Sequence, residues 1–433
     1  MKNLEQSSEI KKNYTVAIFG LGYVGLTFAL ALISKGLHVI GIDSDENLIQ
    51  ELKRGETEVL EPNIKSLLNE ALSTGSFCVL DGITSGIGNS IDVFVVTVGT
   101  PLVASKMDES AIRGVTSLIS EVMEDNALII YRSTLGVGVT RDVIFTILQR
   151  STKKFFLAMC PERTIEGKAI EEIFNLPQVV GGIDIDSTNN AGNFFTELGI
   201  EVLKYNNPES AELIKLANNS YRDLMFGFAN EIAELCGALG LNSKEIIEGA
   251  NYLYPRSNIA RPGPSGGACL TKDPWILYTS GKQRNVEMKI TKAARERNES
   301  HVITFIDKNL LNGASGIKKV SILGLSFKGY PKTRDIRGSS VHDVLRYFQN
   351  FNEIEIHGFE PAGKVNIKDF FQSESLDACI KNSDLILILT NAKEFEGIEE
   401  KLSNLASSEA LVLDFWNLVD ATKLKYSQNL RVW

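Results

Sequence analysis

The feature that most constrains this chain is Gly20-Leu21-Gly22-Tyr23-Val24-Gly25, set between the β-branched run TVAIF and the apolar stretch LTFALALISKG. A strand, a glycine turn and a helix in that order are the context a dinucleotide fingerprint needs. The first glycine allows the tight turn, the second lets backbone approach a pyrophosphate, and the third lets helix and strand pack closely, with the anion on the helix N-terminus. Gly20, Gly22, Tyr23, Val24 and Gly25 are therefore candidate cofactor residues. Asp43, 18 residues after Gly25 at the end of HVIGID, is placed to accept hydrogen bonds from a ribose hydroxyl pair. An acid there repels a 2′-phosphate, so NAD is expected over NADP. The competing reading is a tight turn with no ligand.

From Tyr14 to about Lys204 short apolar runs (TVAIF, HVIGID, DVFVVTV, ALIIY, FFLAM, QVVGG) alternate with amphipathic stretches, the pattern of a parallel sheet covered by helices. Beginning near Asn207-Pro208, a stretch through Gly240 reads as one long helix, and helical pattern continues to about Leu311, broken by the Gly/Pro-rich segment Arg261–Ala268. After the linker LNGASGIKK the alternation returns in VSILGL, EIEIHGFEP, DLILILT and ALVLDF. The second series parallels the first: VAIFGL against VSILGL, GID against GFEP, DVFVVTV against DLILILT. The expected fold is α/β, with two Rossmann-like doubly wound parallel-sheet domains (1–205 and 313–433) joined by a helical middle domain (206–312).

Composition narrows the partners. A net charge of −9 argues against nucleic acid as the main partner, while leaving room for a local basic pocket that takes a phosphorylated small molecule. Apolar runs such as Val93–Val96 and Leu385–Leu389 fall far short of the roughly 20 residues of a membrane span. The polar start MKNLEQSSEIKKN does not read as a secretory signal, so a cytoplasmic location is expected. The 5 cysteines form no disulfide framework and no CxxC pair, and the 4 histidines have no ligand spacing. No metal is expected, and a dehydrogenase built on a catalytic histidine is disfavoured.

Several segments carry chemistry-bearing residues. Thr97-Val98-Gly99-Thr100-Pro101 and Arg132-Ser133-Thr134 each end a strand, at the carboxyl edge where open α/β sheets bind ligands. Cys160-Pro161-Glu162-Arg163 brings an acid and a base to the same edge, with Glu166 one turn on. Lys215 and Asn219 stand four apart on one face of the long helix; a Glu212–Lys215 surface pair is the bland alternative. In PGPSGGACLTKDPW, Gly266 and Gly267 permit close backbone approach, and Cys269 lies just before an expected helix start and near Lys272, conditions that favour a thiolate. Buried filler is the alternative for this cysteine, and an N-cap ahead of Pro274 is the alternative for Asp273.

With these segments in hand, the chain resembles the nucleotide-sugar dehydrogenases of the UDP-glucose/GDP-mannose dehydrogenase family over nearly its whole length. GLGYVG, TVGTP, RSTLGVGVT, PERTIEG, ELIKLANNSYRD, PGPSGGACLTKD and GLSFKGYPKTRDIRGSS carry the match. CPERTIEG, NNSYRDLMFGFANEIAELC, YPRSNI and KDPW are more similar to the branch that oxidises UDP-N-acetylhexosamines than to the UDP-glucose branch, whose acid motif reads NPEFLxEG. The resemblance implies a four-electron oxidation of a primary alcohol to a carboxylate with two NAD in succession, and a last domain that binds the UDP-sugar.

It also implies roles. Cys269 would trap the intermediate aldehyde as a thiohemiacetal that becomes a thioester. Lys215 and Asn219 would stabilise the oxyanion, Asp273 would hold or activate a water, and Glu162 would assist hydrolysis. Thr134 and Glu166 would sit beside the nicotinamide end, with Thr100, Pro101 and Arg337 also on the cofactor. Arg163, Gly266, Gly267 and Lys328 would contact the substrate, and Arg256 would reach a partner subunit's substrate across a homodimer interface formed by the middle domain.

Two departures bear on the sugar. Many relatives of the acetylhexosamine branch have GVGGHC before the cysteine, whereas Ser265-Gly266-Gly267-Ala268 is one residue shorter and lacks the histidine. UDP-glucose enzymes carry an arginine in a DGR motif where this chain has Asp414-Phe415-Trp416-Asn417; the arginine contact is then either absent or supplied by Arg334 or a neighbouring subunit. The competing functions are a UDP-glucose 6-dehydrogenase, a two-electron hydroxyacid or sugar-acid dehydrogenase that would not need Cys269, and a catalytically idle NAD-binding sensor.

Overall fold

The computed structural model describes residues 14–310, 316–349, 351, 353–368, 370–424 and 429–432. The polar amino-terminal segment, most of the expected linker and the 312/313 boundary lie outside the described residues. The chain divides into two compact units, residues 1–218 and 219–433.

The first unit is built on an eight-stranded sheet. Its strands are β1 (Thr15–Phe19), β2 (His38–Ile42), β3 (Phe77–Leu80), β4 (Val93–Val96), β7 (Ala127–Tyr131), β8 (Phe155–Met159), β9 (Gln178–Gly182) and β10 (Val202–Tyr205), with a small hairpin β5 (Leu102–Val103) and β6 (Lys106–Met107) beside it. The order is β10-β9-β8-β7-β4-β1-β2-β3. All neighbours are parallel except β8 and β9, so the sheet is mixed where a parallel one was expected. Every residue of β4 and β7 is buried, as strands covered on both faces require. In β1, Val16 and Ile18 enter one apolar core while Ala17 and Phe19 enter the other, the two faces of the pleat. The strand order reverses between β1 and β4. Open α/β sheets bind ligands at the carboxyl ends beside such a switch point, and here Gly20 and Thr97–Pro101 follow the two strands.

The second unit holds a six-stranded parallel sheet of β11 (Lys319–Leu323), β12 (Glu355–Phe359), β13 (Phe371–Gln372), β14 (Leu385–Ile388), β15 (Leu411–Asp414) and β16 (Asn429–Val432) in the order β13-β12-β11-β14-β15-β16. Its switch point lies between β11 and β14, the counterpart of β1 and β4. The central helices are the 32-residue Pro208–Leu239, which begins in the first unit and continues into the second, then Ser243–Asn251, Gly267–Leu270, Asp273–Lys282 and Lys289–Asn309. The expected α/β architecture with a helical centre is what the chain adopts. No described helix is long and apolar enough to cross a membrane.

Candidate active site

In the first unit the glycine turn has the shape its spacing demands. Gly20 has φ +89°, open to glycine and strained for other residues. A Cβ at Gly25 would lie 1.8 Å from the Gly20 carbonyl oxygen, so only glycine lets helix Tyr23–Ile33 start this close to β1. A Cβ at Gly22 would meet nothing within 4 Å. The second glycine thus faces open space at the N-terminus of a helix, the geometry a diphosphate requires. Asp43, just beyond β2, accepts the Leu21 N–H at 2.6 Å and the Asp45 N–H at 3.0 Å, which aims its carboxylate at the turn. The hydroxyl of Thr97 donates to the carbonyls of Phe19 and Gly20, and the hydroxyl of Thr100 donates to the Thr134 carbonyl at 2.8 Å. The ends of β1, β4 and β7 are thereby tied into one rim that includes Pro101.

The acid loop after β8 is fixed to this rim. Glu162 is buried and saturated: its Oε2 accepts from the Arg132 guanidinium at 2.5 Å and its Oε1 from the N–H groups of Arg163 and Thr164, each at 2.6 Å. Burial alone would raise its pKa, but the Arg132 charge, the Thr164 N–H and the Lys215 ammonium bring it down to about 2. Arg132 also donates to Gln178 at 2.8 Å and lies 4.2 Å over the Phe28 ring. Arg163 donates to the Pro177 carbonyl. Glu61 accepts from the Tyr23 hydroxyl, from the Gly167 N–H at 2.6 Å and from the Ala169 N–H at 3.2 Å, and the Gly167 N–H also donates to the Tyr23 hydroxyl at 3.0 Å, so the residue after Glu166 is tied to the helix that the glycine turn opens. Lys215 is buried on the long helix. It is not paired on the surface with Glu212, which is fully buried and accepts the N–H groups of Gly138 and Thr140 at 2.6 and 2.8 Å.

In the second unit the cysteine loop is built on close backbone approach. A Cβ at Gly266 would lie 2.3 Å from the Gly338 carbonyl, and one at Gly267, where φ is +92°, would lie 2.7 Å from the Phe327 ring. The Gly267 N–H donates to the Gly338 carbonyl at 3.2 Å. This interlock sets Cys269 against the loop that carries Lys328 and Arg337. Cys269 sits inside the short helix Gly267–Leu270, one turn from its N-cap Gly266, and is exposed.

Asp273 opens the next helix at its first position, not at the N-cap of the alternative reading, and its carboxylate is engaged elsewhere. Oδ2 accepts from Asn219 Nδ2 at 2.6 Å and Oδ1 from Lys272 Nζ at 2.8 Å, with Asp273 fully buried. Arg337 forms a forked pair with Asp335, and Lys328 lies 5.3 Å over the Phe327 ring. Arg256 is exposed, stacked 4.5 Å over Tyr254. Of the other thiols, burial pushes Cys160 up to about 12 and raises Cys379, and Cys236 is buried. Cys78 is exposed on β3.

Among the described residues no cluster of three or more His, Cys, Asp or Glu could hold a metal ion. Sequence reasoning missed Glu61, the pairing of Arg132 with Glu162, and a buried Asp223–Arg295 pair. Only Asp223 left a signal, since it continues the four-residue spacing of Lys215 and Asn219.

Residues 14–198 match the NAD binding domain of the UDP-glucose/GDP-mannose dehydrogenase family, 209–300 its central domain and 321–421 its UDP binding domain. The chain belongs to this family. It is an NAD-dependent UDP-sugar dehydrogenase, with the UDP-sugar assigned to the last domain. It is 31% identical over 415 residues to a UDP-N-acetyl-D-mannosamine dehydrogenase of Methanocaldococcus jannaschii, covering 94% of this chain and 92% of the relative. Among solved structures, the UDP-D-ManNAc dehydrogenase of Pyrococcus horikoshii is 28% identical with a TM-score of 0.84, covering 96% of this chain and 98% of that one. The UDP-N-acetyl-mannosamine dehydrogenase of Staphylococcus aureus is 26% identical with a TM-score of 0.81, covering 97% of each.

Proposed function

We propose that the chain oxidises the primary alcohol of a UDP-N-acetylhexosamine, with UDP-N-acetyl-D-mannosamine favoured by the relatives, to the uronate for surface polysaccharide. The observation that carries this reading is the setting of Cys269: an exposed thiol on a glycine-built helix, four residues before a buried carboxylate held by Asn219 and Lys272. The open face at Gly22 and the carboxylate of Asp43 fit the diphosphate and ribose of NAD, and two NAD molecules bound in succession would supply the two hydride acceptors of one turnover. The alcohol loses a hydride and a proton to give the aldehyde. Cys269 Sγ then adds to the carbonyl carbon, and the thiohemiacetal keeps the aldehyde from leaking or hydrating.

The thiohemiacetal then loses its second hydride to NAD and its hydroxyl proton to water, which leaves a thioester. Water cleaves it, the carboxylate leaves, and the thiol is restored. Lys215 and Asn219 stabilise the oxyanions of these steps, and Asp273 holds the water. Glu162, ionised at any working pH, assists as a fixed charge that orients Lys215. Thr134, Thr100, Pro101, Glu166 and Arg337 serve the cofactor; Arg163, Gly266, Gly267 and Lys328 serve the substrate.

Residues 1–205, 206–312 and 313–433 are the corresponding functional divisions. Tyr221, Phe228, Leu235 and Leu239 are exposed at helical spacing on the long helix, and Arg256 lies beside exposed Tyr252 and Leu253, which supports a homodimer through the middle domain. Replacing Cys269 by Ala tests the mechanism: uronate formation should fall at least about a thousandfold. Full uronate formation by that variant would overturn it.

A further inference from the structure

Asp223 lies one turn beyond Asn219 on the long helix, and Arg295 lies on Lys289–Asn309; both side chains are 1% exposed. Arg295 Nη1 donates to Asp223 Oδ1 at 2.7 Å and to the carbonyl of Leu270 at 2.9 Å. Leu270 ends the four-residue helix that carries Cys269. Asn298 Nδ2 donates to the Asp223 carbonyl at 2.8 Å and to its Oδ1 at 2.9 Å, and Asn298 Oδ1 accepts from Asn230 Nδ2 at 3.1 Å. Asn230 grips both backbone groups of Gly263, accepting from its N–H at 2.9 Å and donating to its carbonyl at 3.2 Å. One buried polar chain therefore holds the cysteine loop at its start, Gly263, and at its end, Leu270.

We propose that Asp223 and Arg295 are positioning residues for the nucleophile: the guanidinium, oriented by Asp223, fixes the Leu270 carbonyl and with it the turn that aims the Cys269 thiol. The proposal rests on Cys269 being the nucleophile. A helix-end carbonyl needs a donor, and water or a neutral side chain would serve it. A buried ion pair adds a fixed direction, and Arg295 Nε also faces Glu299 Oε1 at 3.4 Å. The long helix then carries both Asn219 and the residue that orients Arg295, so oxyanion stabiliser and nucleophile are referred to one rigid element.

The test uses the full chain with Arg295→Lys, Arg295→Met and Asp223→Asn, alongside Cys269→Ala. It measures kcat, KM for NAD, thermal unfolding, and the rate of Cys269 alkylation by iodoacetamide followed on its own peptide. Misplacement of a reacting group by about 1 Å costs on the order of 100-fold. Arg295→Met should lower kcat by about that much with KM for NAD within about twofold, and Arg295→Lys should recover about tenfold of it, while alkylation by the small free reagent changes less than about threefold.

A folded Arg295→Met enzyme with wild-type kcat, or equal falls in turnover and alkylation, would overturn the proposal. Should Arg295→Met not fold, Arg295→Lys and Asp223→Asn decide it, each with a kcat about tenfold below wild type if the proposal holds and at wild type if it does not. Uronate formation by Cys269→Ala would instead overturn the proposed function. An inactive Cys269→Ala beside fully active Arg295→Lys and Asp223→Asn would overturn the positioning role alone.

Discussion

The first strands of the two sheets end in turns built alike. Gly20 has φ +89° and Gly324 +92°, and each donates its N–H to the last carbonyl of the neighbouring strand, Ile42 at 2.8 Å and Phe359 at 2.9 Å. The next residue of that strand's end is an acid that accepts from the turn: Asp43 from Leu21, Glu360 from both Leu325 and Ser326 at 2.9 Å. From there the two part. After Gly20 a helix starts at Tyr23 and Gly22 faces open space, whereas after Gly324 the next helix starts only at Val341.

The loop between Gly324 and Val341 carries Lys328 and Arg337 and interlocks with the cysteine loop. The second oxygen of each acid accepts an N–H two residues on, from Asp45 and Ala362, both at 3.0 Å, but Glu360 is 5% exposed and Asp43 only half-buried. The first turn opens onto space at a helix N-terminus, and the second runs into a loop that packs against the cysteine loop. A fold alone does not assign a ligand; the residues placed on it do.

Four substitutions break or sharpen this contrast. Gly25→Ala places a methyl 1.8 Å from the Gly20 carbonyl, so the first turn must move. NAD affinity, by titration, should fall at least about 100-fold with about 3 kcal/mol lost in denaturant unfolding. Near-wild-type affinity would mean the turn does not hold the cofactor.

Glu162→Gln comes next. The carboxyl sits at about 2 in the folded chain against 4.5 when free, so its stabilising contribution is complete above about pH 4.5 and lost as pH falls toward 2. The variant should lose about 3 kcal/mol at pH 7, and the deficit should shrink below pH 4.5 in parallel unfolding curves. A deficit independent of pH would show that the carboxylate charge is not what matters.

The smallest effects come from the paired acids. Asp43→Asn should raise KM for NAD about tenfold and leave stability within about 0.5 kcal/mol, whereas Glu360→Gln should cost about 1–2 kcal/mol and leave that KM unchanged. Exchanged outcomes would reverse the roles of the two turns.

What the sequence disclosed was local. The continuous apolar runs marked the strands buried on both faces, and the fingerprint was readable because turn, strand and helix are contiguous. Phe77–Leu80, Val202–Tyr205, Phe371–Gln372 and Asn429–Val432 escaped because edge or near-edge strands carry only short or half-exposed patterns. The antiparallel β8–β9 pair was likewise invisible in composition.

Within the site, Cys269 and the Lys215–Asn219 spacing stood out. Partners chosen by the fold did not: Glu61 meets Gly167 across 106 residues, Arg295 meets Asp223 across 72, and Arg132 meets Glu162 across 30. Asp273 looked like an N-cap because Pro274 follows it. Only the long helix, which brings Asn219 to it across 54 residues, reveals why its carboxylate is engaged elsewhere.

The most direct test of the account is the NADH formed per UDP-sugar consumed, with UDP-N-acetylmannosamine, UDP-N-acetylglucosamine and UDP-glucose offered separately to the purified protein. Two NADH per sugar from UDP-N-acetylmannosamine, with uronate as product, is the predicted result. One NADH per sugar, or none from any of the three, would contradict the four-electron chemistry and with it the role given to Cys269.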